Sequence, residues 1–249
     1  MSEAALEMMM RQFGRHAELD EEDRRALTRL PLTRRTANAG AFLLREGEPA
    51  HDHLILVSGF AQRHKLARSG GRQIVAIQIP GEAISCSTLF FGWADHSTQA
   101  LTPVEMVSIP RDVFRRAVLE RPRITEAIMK TTLLEASISN EWLLNMGRRP
   151  AKTRVAHLLC EMAARIDAAG ISNGTQYDIP LTQEQIGDAL GLTAVHVNRM
   201  LKELNEEALV FRDGRRIKIP DRRKLEYAAE FTVSYLHIDR DARSTIRSR

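Results

Sequence analysis

The chain has 249 residues, 43% of them apolar, which is enough to bury a sizeable core and favours two modest domains over one. Its apolar runs are far too short to span a bilayer, and residues 1–12 lack the basic start and apolar core of a signal peptide, so we expect a soluble, cytoplasmic protein. Its two cysteines, Cys86 and Cys160, are too few for a disulfide framework or for four-thiolate ligation of an iron–sulfur cluster.

The charged residues are unevenly distributed along the chain. Residues 1–147 contain 18 basic and 18 acidic side chains, whereas residues 148–249 contain 18 basic and 14 acidic ones. The net charge of +4 therefore comes entirely from the C-terminal part. Such a surplus suits a polyanionic partner, but it is also common on ordinary solvated surfaces and decides little alone.

The N-terminal half changes its pattern near residue 33. Residues 1–33 have the composition of helices, ended by Pro31. Residues 36–109 then contain short β-rich runs separated by glycine turns, which predicts a compact antiparallel roll. The predicted strands lie at residues 42–44, 53–57, 73–79 and 105–109.

Residues 122–146 contain no proline or glycine after the first position, which predicts a long helix. Its apolar stripe either packs on its own domain or pairs with a second chain, and periodicity alone leaves both open. We predict the second, with the dimer interface formed by Ile124, Ile128, Thr131, Leu134, Ile138 and Trp142.

Residues 147–150 are the predicted hinge between domains. A further amphipathic helix follows, which residues 170–174 end. Its inward side chains are predicted to be Val155, Leu158, Leu159, Met162 and Ile166. Residues 240–249 are polar and charged, so we predict a disordered tail.

Residues 182–207 have the signature of two helices joined by a tight turn. Thr182 and Gln185 form a capping box, Gly191 suits a left-handed helix end, and Thr193 can cap a second helix that runs to about residue 207. Such a pair is either a helix-turn-helix or a helical hairpin with a solvated face. The outward residues of the second helix are predicted to be Ala194, Val195, His196, Asn198, Arg199 and Lys202.

The chemistry of that outward face favours DNA. Asn198 and Arg199 carry planar donors that suit base edges, Val195 can contact a thymine methyl, and Lys202 can reach a phosphate. Residues 210–219 alternate around Asp213-Gly214, a strong hairpin signal, so a two-stranded wing should follow. The basic residues of this wing are placed to bind the phosphate backbone: Arg212, Arg215, Arg216 and Lys218.

Residues 181–193 (LTQEQIGDALGLT) and 197–201 (VNRML) resemble the helix-turn-helix of the Crp/Fnr family, and Gly47, Gly59 and residues 80–82 stand at the turn positions of its roll. The resemblance covers nearly the whole chain. It implies an α+β protein with a cyclic-nucleotide-binding-like antiparallel β-roll as sensor, a long dimerisation helix and a C-terminal winged helix-turn-helix. It also implies a homodimer that binds a palindromic operator in double-stranded DNA and contacts RNA polymerase.

The resemblance also assigns roles to single residues. Thr193 matches a phosphate-contacting position, and Arg199 matches the arginine that reads guanine. Val195 departs from the glutamate that many members use to accept from cytosine, so the target should differ at that base pair. We predict base reading by Val195, His196, Asn198 and Arg199, and phosphate contacts by Thr182, Thr193, Lys202, Arg215 and Arg216. The expected domains are residues 1–121, 122–146, 147–236 and a tail at 237–249.

The sensor domain departs from the family's known ligand sites. Where cyclic-nucleotide-binding members have their ribose and phosphate ligands, this chain has residues 85–87 (SCS) and 94–96 (ADH), and no arginine lies between Arg72 and Arg111. We therefore predict that cyclic nucleotides do not bind. No cysteine precedes Cys86, which excludes the cluster of the oxygen-sensing members, and Cys86 itself reads as a small buried residue.

A β-roll that carries a pair of histidines could also be a metal-dependent cupin enzyme, which is a further alternative function. His51 and His53 lack a third carboxylate ligand, so we expect them to face solvent and predict no metal, no cofactor and no enzyme activity. Haem ligation by His16, His64 or His96 stays open, because nothing selects one of them. The effector is unidentified. The main alternative function is a signalling module that binds a ligand but not DNA.

Overall fold

The computed structural model describes residues 3–15, 17–172 and 174–238, without the side chains of residues 3–6 and 12. Packing divides the chain into two units. One comprises Met1–Leu133 with Pro180–Gly191, and the other Leu134–Ile179 with Leu192–Arg249. The domain boundaries predicted above stay predictions. His16 and the predicted tail from residue 239 onward lie outside the described residues.

The first unit begins with two helices, α1 (Glu3–Gly14) and α2 (Glu21–Thr28), as the sequence predicts. Helix α2 begins at a reciprocal capping box. The Asp20 carboxylate accepts from the Asp23 amide at 2.8 Å, and the Asp23 carboxylate accepts from the Asp20 amide at 3.2 Å. These bonds satisfy amides that have no partner inside the helix.

Seven antiparallel strands of the described chain form the roll, in two sheets of order β1-β7-β3 and β2-β6-β4-β5. The four predicted strands are present. The three others are short and largely polar, so no apolar alternation marked them. The strands are Thr33–Ala37 (β1), Phe42–Leu44 (β2), Asp52–Ser58 (β3), Ala61–Leu66 (β4), Arg72–Gln78 (β5), Ser97–Ala100 (β6) and Val104–Pro110 (β7).

Gly59 is required by the turn between β3 and β4. Its φ is +81°, a left-handed conformation that favours glycine, and a Cβ there would overlap the carbonyl oxygen of Pro103. A side chain at this position would therefore strain the backbone and displace the neighbouring loop.

Three further helices complete the main body of this unit: α3 (Ser87–Phe91), α4 (Arg111–Glu120) and the first half of α5 (Pro122–Arg148). Their apolar sides join α1, α2 and the roll in one core. Leu27, Ile109, Phe114 and Ile124 have no exposed surface in it. Helix α3 was not predicted, because five residues give too little periodicity to recognise.

Helix α7 (Gln183–Leu190) packs beside β5 in the same unit. Arg72 Nε on β5 donates to the Asp188 carboxylate at 2.7 Å, and Gln73 Nε2 donates to the Ala189 carbonyl at 3.2 Å.

The second unit is built around α6 (Ala151–Ala168), which packs against α8 (Ala194–Glu206) and α9 (Arg222–Ala228). Helix α6 is buried over most of its surface, more fully than an amphipathic pattern predicts. The five inward residues predicted from sequence are all buried. A three-stranded sheet of order β8-β10-β9 and a short 3₁₀ helix at Ser234–Leu236 complete it; the strands are Gln176–Asp178 (β8), Phe211–Asp213 (β9) and Arg216–Lys218 (β10).

A buried polar network crosses the second unit. The Glu161 carboxylate accepts from Trp142 Nε1 at 2.9 Å, from Tyr235 Oη at 3.0 Å and from Arg165 Nη1 at 3.2 Å. Burial raises the pKa of Glu161, and the charge of Arg165 opposes that rise. Three donors thus stabilise a carboxylate that is fully inside the protein.

Candidate nucleic-acid interface

The turn between α7 and α8 has the backbone that the sequence predicts. The Thr182 hydroxyl accepts from the Gln185 amide at 3.1 Å, and the Gln185 side chain accepts from the Thr182 amide at 2.9 Å. Gly191 ends α7 with φ +65°. The Thr193 hydroxyl then accepts from the His196 amide at 3.2 Å and starts α8. Two caps and one left-handed glycine therefore fix the helix-turn-helix.

The two sides of α8 differ sharply in exposure. Its inner side is buried in the second unit through Val197, Met200, Leu201 and Leu204. Its outer side carries Val195, which is 82% exposed although it is apolar. Arg199 is also exposed, with Glu203 one turn away at 4.0 Å. Thr193 and Lys202 are exposed as well, while Ala194, His196 and Asn198 are half-buried.

Among the described residues, Val195 is the most exposed large aliphatic side chain, and its burial would be favourable by about 1.5–3 kcal/mol. The residues that surround it are small, basic or hydrogen-bonding. This combination suits the major groove, where a valine can meet a thymine methyl and arginine can bond a guanine.

The wing is present, but two details of its prediction are wrong. Its loop is Gly214-Arg215, since Asp213 pairs with Arg216 at the end of the strands, and Gly214 takes φ +58° as the first loop residue. The wing also has three strands instead of two, because β8 pairs with β10. The polar β8 gave no alternating signal.

The basic residues of the wing differ in their exposure to solvent. Arg215, Arg216 and Lys218 are exposed, and the Arg215 carbonyl accepts from Ile179 at 3.0 Å, which anchors the loop. Arg212 is half-buried, donates from Nε to the Gly214 carbonyl at 3.0 Å, and burial lowers its pKa. Arg212 therefore stabilises the hairpin, and its phosphate contact stays a prediction.

The predicted dimer stripe on α5 faces inward for much of its length. Ile124 and Ile128 belong to the core of the first unit, and Trp142 is 4% exposed and bonded to Glu161. These three residues cannot also meet a second chain, so this part of the prediction is wrong. Thr131, Leu134 and Ile138 are half-buried.

A second stripe on α5 is exposed instead. Met129, Leu133 and Leu143 are 58%, 63% and 63% exposed, and Ala136 and Asn140 lie between them. The spacing of these five residues alternates between four and three positions, which is the heptad pattern of a coiled-coil seam. The sequence contains this signal, but the competing stripe at spacings of four concealed it.

The segment expected to replace the family's cyclic-nucleotide ligands makes hydrogen bonds within itself. The Ser85 and Ser87 hydroxyls are hydrogen-bonded at 3.0 Å, and the Asp95 carboxylate pairs with His96 Nδ1 at 2.6 Å. Two arginines approach it from elsewhere in the chain: Arg63 Nη2 donates to the Ile84 carbonyl at 3.3 Å, and the Arg111 guanidinium lies against Gly92. Counting arginines along the sequence could not reveal them.

Of the two histidines expected to face solvent, His51 does so and His53 does not. His51 is exposed, but His53 is 1% exposed and stacks on Phe114 with ring centroids 4.6 Å apart. Burial lowers the pKa of His53 to about 4, so the ring is neutral. His64 and His96 are buried too. Within the described part of the chain, no three His, Cys, Asp or Glu residues come together as a metal site.

The capped helix pair, the exposed face of α8 and the basic wing define a winged helix-turn-helix, the DNA-binding module of transcription regulators. Residues 153–228 match the model of the Crp-like helix-turn-helix domain, and residues 34–121 match that of the cyclic nucleotide-binding domain. The two matches cover about two thirds of the chain in the family's order. The chain therefore belongs to the Crp/Fnr family of DNA-binding transcription regulators.

Two similar proteins of known name are regulators. The nitrogen fixation regulation protein FixK of Azorhizobium caulinodans is 29% identical over 72% of this chain and 72% of its own length. The transcriptional activator protein FnrL of Cereibacter sphaeroides is 28% identical over 80% of this chain and 81% of its own. The solved structure of FixK2 from Bradyrhizobium japonicum shares the fold, with a TM-score of 0.74 at 24% identity over 82% of this chain and all of its own.

Among the described residues, no helix is both long enough and apolar enough to cross a membrane.

Proposed function

We propose that the protein binds a palindromic operator as a homodimer and regulates transcription in response to a signal received by its β-roll. The observation that carries the proposal is the outer face of α8, where an 82% exposed valine stands one turn before an exposed arginine on a capped helix. Burying Val195 against DNA would remove this apolar surface from water.

Four residues of α8 are proposed to read bases. Arg199 reaches the O6 and N7 acceptors of a guanine, and Val195 contacts a thymine methyl. His196 and Asn198 are half-buried at the edge of this face and read the neighbouring positions. The recognition sequence therefore contains one guanine that depends on Arg199 in each half-site.

The proposed phosphate contacts are exposed residues on three separate elements. Thr193 and Lys202 lie on α8, Thr182 lies at the start of α7, and Arg215 and Arg216 lie on the wing; all five are exposed. Hydroxyl groups at helix starts and cations at a hairpin loop are common phosphate ligands, and they carry no sequence information. They supply affinity that falls as the salt concentration rises.

We place the dimer interface on the exposed stripe of α5, with a second copy of this chain as its occupant. Met129, Leu133 and Leu143 would form the apolar part of a two-stranded seam, and Asn140 would take a polar core position that fixes the register. A groove of about 510 Å³ adjoins this stripe and accepts side chains of the partner helix. Its lining includes Leu119, Pro122, Thr125, Met129 and Leu133.

The remaining parts of the proposal follow from the family. The protein acts in the cytoplasm, contacts RNA polymerase at its promoters and has no enzyme activity of its own. Cyclic nucleotides are not its signal, because a carboxylate, Asp95, replaces a phosphate-binding arginine.

Site selection from random double-stranded DNA tests the proposal. The full-length chain should enrich palindromes whose half-site centres are about 34 Å, or one helical turn, apart. Footprinting should show protection on two successive major grooves. Enrichment of unrelated sequences with equal affinity, or of one unpaired half-site, would contradict sequence-specific binding by a two-fold dimer.

A further inference from the structure

A small cavity lies between α1, the roll and α5 in the first unit. Its volume is about 20 Å³, which is room for one atom or one water. Met9 of α1, His53 of β3, Cys86 before α3 and Thr131 of α5 are among its lining residues. Met9, His53 and Cys86 are 2%, 1% and 3% exposed, so all three side chains are buried.

His53 makes this cavity chemically unusual. Neither of its ring nitrogens has a hydrogen-bond partner among the described residues, although both are buried. A neutral imidazole has one donor and one acceptor, and leaving both unsatisfied inside a protein is costly. The surroundings are otherwise apolar, with Phe13, Ile55, Ala83 and Ile128. A polar side chain of this kind points to a ligand in the cavity.

Two sulfur atoms at the cavity indicate which class of ligand it would bind. The Cys86 thiol and the Met9 thioether are soft sulfur donors, and an unprotonated imidazole is a good partner for them. Soft sulfur and nitrogen donors select monovalent copper among the common metal ions. A cavity of about 20 Å³ has room for a bare ion, whereas an organic ligand would need the core to open.

We propose that this cavity binds one monovalent copper ion through His53 and Cys86, with the sulfur of Met9 as a third donor. On binding, Cu⁺ enters, the Cys86 thiol loses one proton, and no electron is transferred. This assignment departs from the prediction of no metal that the sequence supports.

The net charge of the complex favours Cu⁺ over Zn²⁺ in this cavity. One thiolate neutralises Cu⁺, so the copper complex is uncharged in its apolar surroundings. A Zn²⁺ ion in the same place would keep one uncompensated positive charge inside the protein, which is strongly unfavourable. Structural zinc also requires about four ligands, and among the described residues that line the cavity only Met9, His53 and Cys86 carry sulfur or imidazole donors.

The test is a titration of the full-length, metal-free protein with Cu⁺ under anaerobic conditions, in competition with a chromogenic Cu⁺ chelator. We expect one Cu⁺ per chain, and X-ray absorption at the copper edge should show sulfur and nitrogen neighbours. Cys86→Ala and His53→Phe should each weaken binding by at least about 100-fold, since losing even an outer-shell partner costs about 10–100-fold. Neither readout depends on DNA binding.

Two controls keep the experiment decisive. Cys160→Ala removes the other buried cysteine, in α6, and should leave Cu⁺ binding unchanged. Circular dichroism and gel filtration verify that each variant is folded, and Met9→Leu supplies a milder third variant. Less than one Cu⁺ per chain, unchanged affinity in folded Cys86→Ala and His53→Phe, loss of binding in Cys160→Ala, or equally tight Zn²⁺ binding would each overturn the assignment.

Discussion

The indole N–H of Trp142 donates to the carboxylate of Glu161 at 2.9 Å, and both side chains are buried. Trp142→Phe keeps an aromatic ring but removes this donor. Because Glu161 would lose one of its hydrogen bonds, we expect the free energy of unfolding to fall by about 1–3 kcal/mol. Urea denaturation followed by circular dichroism measures it.

The chain has one other tryptophan, which provides a matched control. Trp93 is 59% exposed, so Trp93→Phe should change the free energy of unfolding by less than about 0.5 kcal/mol. Equal effects of the two substitutions would show that the Trp142–Glu161 bond contributes nothing to stability.

The two faces of α5 predict two different outcomes. Leu133→Asp places a charge on the exposed stripe and should give a folded monomer with weak operator binding. Ile124→Asp places a charge in the core and should unfold the first unit. Leu66→Asp, at a 62% exposed residue of β4, is the control and should remain dimeric. Light scattering after gel filtration measures the mass, and a dimeric Leu133→Asp would rule out this seam.

Base reading and phosphate binding predict different responses of DNA affinity. Arg199→Ala should cost about 1–3 kcal/mol per half-site and relax the preference at one symmetric base pair. Arg215→Ala should weaken all sequences alike and lower the slope of log affinity against log salt by about one per lost contact. Arg24→Ala, on α2 of the other unit, removes the same charge as a control. Unchanged base preference in Arg199→Ala would contradict the proposed role of this residue.

Stability should depend on pH through His53. Burial lowers the pKa of this ring to about 4, whereas an unfolded histidine titrates near 6.5. The unfolded chain therefore takes up the proton first, and the stability that neutral His53 contributes is lost as pH falls from about 6.5 towards 4.

His53→Phe should remove this dependence. Each histidine of this kind contributes at most about 1.4 kcal/mol per pH unit, so the loss of stability between pH 7 and 5 should shrink by about 1–2 kcal/mol in the metal-free variant. His51→Gln changes an exposed histidine and should keep the parent slope. Parallel slopes for His53→Phe and the parent would mean that His53 is accessible to protons in the folded state.

Two glycines with similar backbones should respond differently to alanine. Gly59 and Gly47 both have positive φ, +81° and +82°, but only Gly59 has the Pro103 carbonyl where a Cβ would be. Gly47→Ala should cost about 1–2 kcal/mol for the left-handed conformation alone. Gly59→Ala should cost clearly more. Thermal denaturation compares them, and equal losses would show that the loop at Pro103 yields freely.

The helix-turn-helix could be predicted from sequence because its determinants are local. Thr182, Gln185, Gly191 and Thr193 act on backbone groups within a few residues of themselves, so their types and spacing suffice. The polar strands could not be predicted, since β1 (TRRTA) is stabilised by pairing with β7, about 70 residues later.

The errors at α5 and His53 have different origins. Both apolar stripes of α5 are periodic, so periodicity could not show which one is buried. Trp142 points inward because it bonds Glu161, which lies on another helix. The burial of His53 could have been predicted from the sequence. Alternate residues of a strand share one face, and His53 lies two positions before the buried Ile55 on β3.

In the proposed dimer, the two apolar faces of α5 would also make this protein sensitive to its own abundance. Loss of an inner contact lowers the folded fraction of every chain at any concentration. A weakened outer contact is governed by mass action, so a higher protein level restores the dimer. Cells could therefore compensate for a substitution at Leu133 by raising expression, but not for one at Ile124, and the outer stripe can change more freely in evolution.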